Sequence, residues 1–444
     1  MERVKKILAI SAWAITGIAI IVVIIPSVSK LIMMRNDLNN QWIGFQLKDE
    51  SGRMHTGFAD LGFSFMDMEL LAYGYQAPPG TDLSKWNVNP KKAEQIDGFE
   101  WSDRGFLWHT SALQGTDINL RAGTRLGLDK PFRLQDQAEL TLPGAPWDRR
   151  SDNMSFLGKF PDYKVKFDDG SVTFDLDLAA AVPAWYMYNE GRPMQCGDFS
   201  FLSMNELPVN VEGVITHKKT GESFNVSGMA LMEANVGIPW NTTLSYGTHD
   251  WTDYYFPGGW SGSMWNAHDD WQWGYNRYPN TGWIWDPELE KFHTFHRVEI
   301  IEADYVKDKV SKTEYPQHML WRGIGTDATL EVETETICLY PNKVSMGVVT
   351  FTMAYGPTVS EGRLLRRDGT VVDLGAGQSF MEYYPAIIPD IAFWGPFVLI
   401  LLTLIWSAYV FISRKIAGRS IAPPIAWCAA GIIAVIILNA VWSI

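Results

Sequence analysis

The feature that most limits what this chain can fold into is a period-two alternation of apolar and polar residues running through a tight turn. Tyr163, Val165 and Phe167 alternate with polar residues before Asp168, Asp169 and Gly170, and Val172, Phe174, Leu176 and Leu178 do so after them. A strand sends successive side chains to opposite faces, so this segment predicts a hairpin with one buried face. The same pattern predicts a hairpin of Val209 to Ile215 with Phe224 to Met232, and another that turns at Arg367 to Gly369. Ala328 to Leu339 and Val344 to Ala354 are predicted strands by their β-branched content. Many short strands with turn signals between them, and no long amphipathic helix, predict a mainly β domain of barrel or sandwich type. The Pro-rich stretch Gln76 to Glu100 is predicted as a long loop, and Pro183 to Gly197 as a connection between two β units. There is no fixed-period repeat.

The ends of the chain obey a different rule. Ile7 to Ile25 is 19 residues without a charge, and Ile391 to Ile412 and Ile425 to Ile444 are also uncharged. Each is close to the roughly 20 residues that a helix needs to cross a bilayer. The first lacks a small-x-small cleavage site and reads as a retained anchor rather than a signal peptide. Arg3, Lys5 and Lys6 precede it, and Arg414, Lys415 and Arg419 lie between the second and third runs. Excess Lys and Arg mark cytoplasmic loops. The expectation is a multi-pass protein of the plasma (inner) membrane with a cytoplasmic N-terminus and its large domain on the outer, periplasmic side. Lys30 and Arg35, just after the first run, pull against this orientation. The expected division is an anchor at 1–35, β-barrel-like domains at 36–195 and 196–388, and a transmembrane hairpin at 389–444. Cys196 and Cys338 could pair in an oxidising compartment, but spacing alone does not bring them together.

The net charge of −13 over 444 residues leaves no basic footprint for nucleic acid. The intramembrane runs carry no ionisable side chain, which argues against a channel or pump. No nucleophile elbow, P-loop or dinucleotide fingerprint occurs, so no cofactor is expected. His249, Asp253, His268 and Asp269 are usable ligand types but show no known zinc spacing, and no metal is expected.

Between Trp240 and Trp285 the chain places eight tryptophans in 46 residues. Indole joins a large apolar face to a single N–H donor, which suits an apolar cavity with a few polar points. Trp240, Trp251, Tyr254, Tyr255, Trp260, Trp265, Trp271, Trp273, Trp283 and Trp285 are the candidate walls. Glu233, Asp253, His268, Asp269 and Asp270 are the candidate acid and base groups. The alternative reading keeps the aromatics as core and rim of a β domain and the acids as turn residues.

Several segments resemble the carotenoid 1,2-hydratase (hydroxyneurosporene synthase) and AttH-like family. They are Trp42 to Arg53 (WIGFQLKDESGR), Phe201 to Gly213 (FLSMNELPVNVEG), Phe224 to Gly237 (FNVSGMALMEANVG) and Trp271 to Gly274 (WQWG). The resemblance implies tandem lipocalin-like barrels and chemistry on isoprenoid or other apolar substrates. In the family's Asp-His-x-Trp-Gly signature, Glu233 stands for the Asp and Gly237 is kept, whereas Ala234 and Val236 replace the His and Trp. Two kinds of function follow. One is a membrane-anchored hydratase, dehydratase or isomerase that protonates an apolar isoprenoid. The other is a non-catalytic outward-facing subunit of a membrane complex, with a carbohydrate-binding module as a third reading. The expected partners are the lipid bilayer and an apolar small molecule, with a homo-oligomer or complex formed through the transmembrane helices.

Overall fold

The computed structural model describes residues 38–63, 67–78, 80–82, 99–101, 105–114, 147–150, 153–186, 194–195, 200–239, 248–268, 281–307, 314–345, 349–389 and 418. The three apolar runs lie outside these, and among the described residues no helix is long and apolar enough to cross a membrane. The chain divides into a larger unit, Arg35–Asn342 with Thr352–Ala386, and a smaller one, Met1–Met34, Lys343–Phe351 and Ile387–Ile444. Both core clusters and the site described below belong to the larger unit.

The first sheet comprises β1 (Leu38–Asp49), β2 (Met54–Phe63), β3 (Asp67–Gln76), β4 (Phe99–Trp101), β5 (Phe106–Gln114), β6 (Trp147–Arg150), β7 (Met154–Lys159), β8 (Asp162–Asp168), β9 (Val172–Ala180), β10 (Trp185–Tyr186), β11 (Met194–Gln195), β12 (Ser200–His217) and β13 (Glu222–Pro239). Its path runs β4-β5-β3-β2-β1-β13-β12-β9-β8-β7-β6, a half-barrel curled around one core. The second sheet holds β14 (Thr248–Phe256), β15 (Trp260–His268), β16 (Thr281–Asp286), β17 (Lys291–Lys307), β18 (Glu314–Gly325), β19 (Ala328–Thr336), β20 (Tyr340–Ser345), β21 (Val349–Arg366) and β22 (Val371–Pro389). Pairing of β14 with β22 and of β19 with β21 closes eight of these strands into a barrel, with β20 outside the ring.

The alternation seen in the sequence sets which face each strand buries. β8 and β9 point Val165, Phe167, Phe174 and Leu176 inward and put Lys166, Asp175 and Asp177 in water, where Lys166 meets Asp175. The first core gathers Phe45, Leu61, Phe156, Val211 and Ala230, and the second gathers Tyr254, Ile284, Phe295, Trp321 and Leu330. Each fully buried Val, Leu, Ile or Phe among them contributes about 1.5–3 kcal/mol.

The expected seam at 195/196 is not where the sheets change. β12 and β13 pair with β9 and β1 of the first sheet, and the chain enters the second sheet between Pro239 and Thr248. The physical reason is length. β12 and β13 pair over all 18 residues, and that long hairpin supplies the central strands of the first sheet.

Gly262 has to lack a side chain. A Cβ there would meet the Trp283 carbonyl and the Tyr254 ring, and the Tyr254 hydroxyl already donates to that carbonyl at 2.6 Å. Gly262→Ala is expected to cost about 1–3 kcal/mol by overpacking, read as a lower urea midpoint with an unchanged slope.

Candidate active site

The site lies between the outer faces of the two sheets rather than inside either barrel. On β1, Ile43, Phe45 and Leu47 point to the first core, so Trp42 and Gln46 point away from it. On β14, Tyr254 and Phe256 point into the second barrel, so Trp251, Asp253 and Tyr255 point out.

Strand register assembles the polar groups. Asp60, Trp42, Glu233, Glu206 and Trp185 are successive cross-strand partners on β2, β1, β13, β12 and β10. The facing row on the second sheet is Phe380, Asp253, Ser263, Trp283 and Thr294. Trp42 packs edge-on against Trp251, ring centroids 5.0 Å apart, and Trp185 stacks on Trp283 at 5.5 Å. Gly44, two residues along the same face, leaves room for the Trp42 indole to lie over the strand.

Glu206 is 2 % exposed and Glu233 is 8 % exposed. The Glu206 carboxyl belongs to the first sheet but takes its donors from the second. Ser263 Oγ donates at 2.6 Å, Trp251 Nε1 at 3.3 Å, and Trp283 Nε1 also donates. Glu206 also hydrogen-bonds Glu233, its cross-strand partner. Two carboxyls can do so only when one carries a proton. Burial raises the pKa of Glu206, and the bonds from Ser263, Trp283, Trp251 and Glu233 oppose that rise without cancelling it. The pair therefore holds one proton between its two carboxyls, and both Glu206 oxygens also accept from the second sheet.

Asp253 is a second buried acid, fully enclosed. Its Oδ1 accepts Phe380 N–H at 2.7 Å and Gln46 Nε2 at 3.1 Å, and its Oδ2 accepts the Tyr255 hydroxyl at 3.2 Å. Burial pushes its pKa well above the usual carboxylate range. Hydrogen bonds from Phe380 and Tyr255 oppose this, and the charge of Glu206 adds to it. Asp253 and Ser263 are cross-strand partners, so their Cβ atoms sit on the order of 5 Å apart. Asp253 is thus one strand away from the Glu206 cluster.

The expected site residues separate into three groups. Glu233, Asp253, Trp251, Tyr255 and Trp283 meet between the sheets, with Trp265 as the buried cross-strand partner of Trp251. Tyr254 and Trp260 instead belong to the interior of the second barrel, and Trp285 is half-buried against Phe292. Trp240, Asp269, Asp270, Trp271 and Trp273 lie outside the described residues, and so does the side chain of His268. Glu206, Ser263, Gln46 and Trp185 were not anticipated. The available signal for Glu206 was a charged residue at an apolar-rich strand position inside a segment already set apart by resemblance. Among the described residues no group of three or more His, Cys, Asp or Glu could hold a metal ion. Cys338 is buried beside Phe106 and Trp108, and Cys196 lies outside the described residues.

No protein-family model matches the sequence, and no curated protein matches it. Among solved structures, the chain is similar to an AttH-type protein from Nitrosomonas europaea, with 13 % identity and a TM-score of 0.48, over 78 % of this chain and 92 % of that one. It is also similar to kievitone hydratase from Nectria haematococca, with 12 % identity and a TM-score of 0.47, over 79 % and 89 %. A third is CghA with Sch210972, at 10 % identity and a TM-score of 0.41, over 79 % and 89 %.

The folded chain holds the Asp253 proton more tightly than the unfolded chain does. The stability linked to that proton is full below the ordinary carboxyl value of about 4 and is lost as pH rises toward the folded value. Asp253→Asn keeps an acceptor for Gln46 and Phe380 and cannot ionise. It is expected to remain folded and to lose less stability than wild type as pH rises above about 4, measured by urea midpoints.

Proposed function

We propose that this chain binds an apolar, isoprenoid-like molecule and hydrates, dehydrates or isomerises it by acid catalysis at the Glu233–Glu206 pair. The observation that carries this reading is a buried cross-strand pair of carboxyls, Glu206 and Glu233, with the Trp251 and Trp283 indoles bonded to it. An unactivated alkene reacts through a carbocation, so its catalyst needs a carboxyl that stays protonated in an apolar setting. Aromatic faces stabilise the cation. In hydration, Glu233 gives its proton to one alkene carbon. The cation forms beside Trp42 and Trp251, a water oxygen bonds to it, and the proton released from that water returns to the carboxyl pair. Dehydration is the reverse. Isomerisation loses a proton from a neighbouring carbon instead of adding water.

The anchoring we propose is that read from the sequence: spans at the two ends hold the large domain on the outer face of the inner membrane, where apolar substrates partition. Homo-oligomers or a larger complex would form through those spans.

Trp251, Trp265 and Trp283 are buried rather than presented as an open platform, which does not favour the carbohydrate-binding reading. The non-catalytic subunit reading draws on the way Glu206 joins the two sheets, which needs no chemistry. One experiment separates it from catalysis. Isoprenoid alkenes and tertiary allylic alcohols are incubated with the full chain in ¹⁸O-water, and product oxygen is read by mass spectrometry. Glu233→Gln is expected to lower turnover by on the order of 100-fold or more while leaving binding, read by tryptophan quenching, within a few-fold of wild type. Absence of conversion by the wild type, or an unchanged rate in the variant, would remove the acid mechanism and leave the subunit reading.

A further inference from the structure

A second polar cluster, separate from the acid pair and independent of the proposed reaction, closes the turn end of the first sheet. It draws on seven places in the chain: Asp49 on β1, His55 on β2, Tyr73 and Tyr75 on β3, His109 on β5, Asp169 in the β8–β9 turn and His217 on β12. His55 is fully buried, and His109 and His217 are 3 % and 5 % exposed.

The bonding order can be worked out atom by atom. Asp49 Oδ1 accepts Ser51 N–H at 2.8 Å, Ser51 Oγ at 2.6 Å and Arg53 N–H at 3.0 Å. Its Oδ2 accepts Arg53 Nε at 2.7 Å and lies 3.2 Å from His55 Nε2. A carboxylate only accepts, so His55 Nε2 donates and His55 Nδ1 is an acceptor. Tyr73 OH, 2.8 Å from that Nδ1, spends its only proton there. His217 Nε2, 3.2 Å from the Tyr73 oxygen, is therefore the donor in that contact. Beside this chain, His109 Nε2 meets Asp169 Oδ2 at 2.6 Å, while Asp169 Oδ1 accepts the Ser171 and Val172 N–H groups, each at 2.9 Å. Phe174 and Phe224 cover the cluster with aromatic rings.

We propose that this cluster is an acid-sensitive latch, which pins the first sheet's turns together at neutral pH and releases them when His55 and His217 take up protons.

Charge placement supports this. The groups facing His217 are Arg53 from the β1–β2 turn, His55 from β2, Tyr73 and Tyr75 from β3, and His109 from β5. Asp49, Glu222 and Asp169 complete the ionisable set around them. Asp49 already serves Arg53 and His55, and Asp169 serves His109, so a further positive charge on His217 would stand among cations. Burial pushes His217 down to about 4, and the charges of His55, His109 and Arg53 act in the same direction. Burial also lowers His55, against the pull of Asp49. Hydrogen bonds from their partners outweigh burial at Asp49 and Asp169, so both carboxyls ionise at unusually low pH.

An imidazole held neutral in the folded state gains its proton on opening. The stability it contributes is present above the ordinary histidine value of about 6.5 and is lost as pH falls toward 4. Asp49 and Asp169 add a loss only below about 4, so the window from about 6.5 to 4 belongs to His55 and His217.

The test is hydrogen exchange of the full chain, read by mass spectrometry and corrected for intrinsic rates, on peptides spanning 47–58, 165–175 and 213–226. In wild type the opening equilibrium of these peptides is expected to rise roughly 30-fold between pH 7.5 and 5, while β19 in the second barrel changes far less. His217→Gln keeps a donor for Tyr73 and cannot charge, so its rise is expected to be only a few-fold. A flat wild-type profile, or an equal rise in the variant, would overturn the latch. If the variant does not fold, exchange at the His217 ring C2–H of wild type decides instead. A midpoint near 4 supports the latch, and one near 6.5 removes it.

Discussion

The larger unit depends on one carboxyl that belongs to one sheet and is satisfied by the other. Glu206 projects from β12, and Trp251, Ser263 and Trp283 converge on it from β14, β15 and β16. Charge-assisted hydrogen bonds of this kind are worth about 1.5–3 kcal/mol each, and leaving such a buried group unmatched costs a comparable amount. This fixes how the two outer faces meet and brings Trp42 edge-on against Trp251. It also encloses Glu233 and Asp253, so the burial that raises the pKa of Asp253 follows from the same junction.

Each sheet also closes its turn end in a similar chemical way. In the first, Asp49 caps a turn through Oδ1 and binds Arg53 and His55 through Oδ2. In the second, Asp286 caps the β16–β17 turn through Oδ1 at Glu288 and Leu289, and binds Arg366 and His293 through Oδ2. The carboxylate holds the turn, the imidazole fills the end of the core, and the guanidinium balances the charge. The surroundings differ. His293 also meets Asp327, whereas His55 leads through Tyr73 to another imidazole. The same three residue types therefore close both sheets, with a second carboxylate beside the imidazole in one and a second imidazole beyond it in the other.

Much of the fold was legible because period-two alternation acts locally. Tyr163 to Leu178, Val209 to Met232 and Arg363 to Val372 each form the hairpins expected of them. The point where the sheets change was misplaced, because it depends on which distant strands pair with β12 and β13, and that leaves no mark in a local window. At the site, the tryptophan segment pointed to Trp251, Trp265 and Trp283, and the resemblance pointed to Glu233. Density could not separate Trp283, which faces outward, from Trp260, which faces inward, because that depends on strand parity. Glu206 acquires its importance only from partners 45, 57 and 77 residues away in the chain.

Both acids of the central pair sit on one hairpin, and this makes their pairing a matter of phase. The turn from Lys218 to Gly221 joins β12 to β13, and counting back from it along the two strands brings Glu206 opposite Glu233. A slip of one residue between the strands would turn every side chain of one to the wrong face. Met232 would then stand among the indoles and Glu233 in the hydrocarbon core. A one-residue insertion in a solvent-facing turn far along both strands could therefore silence the centre as completely as losing a carboxyl, leaving every residue of the site in place in the sequence.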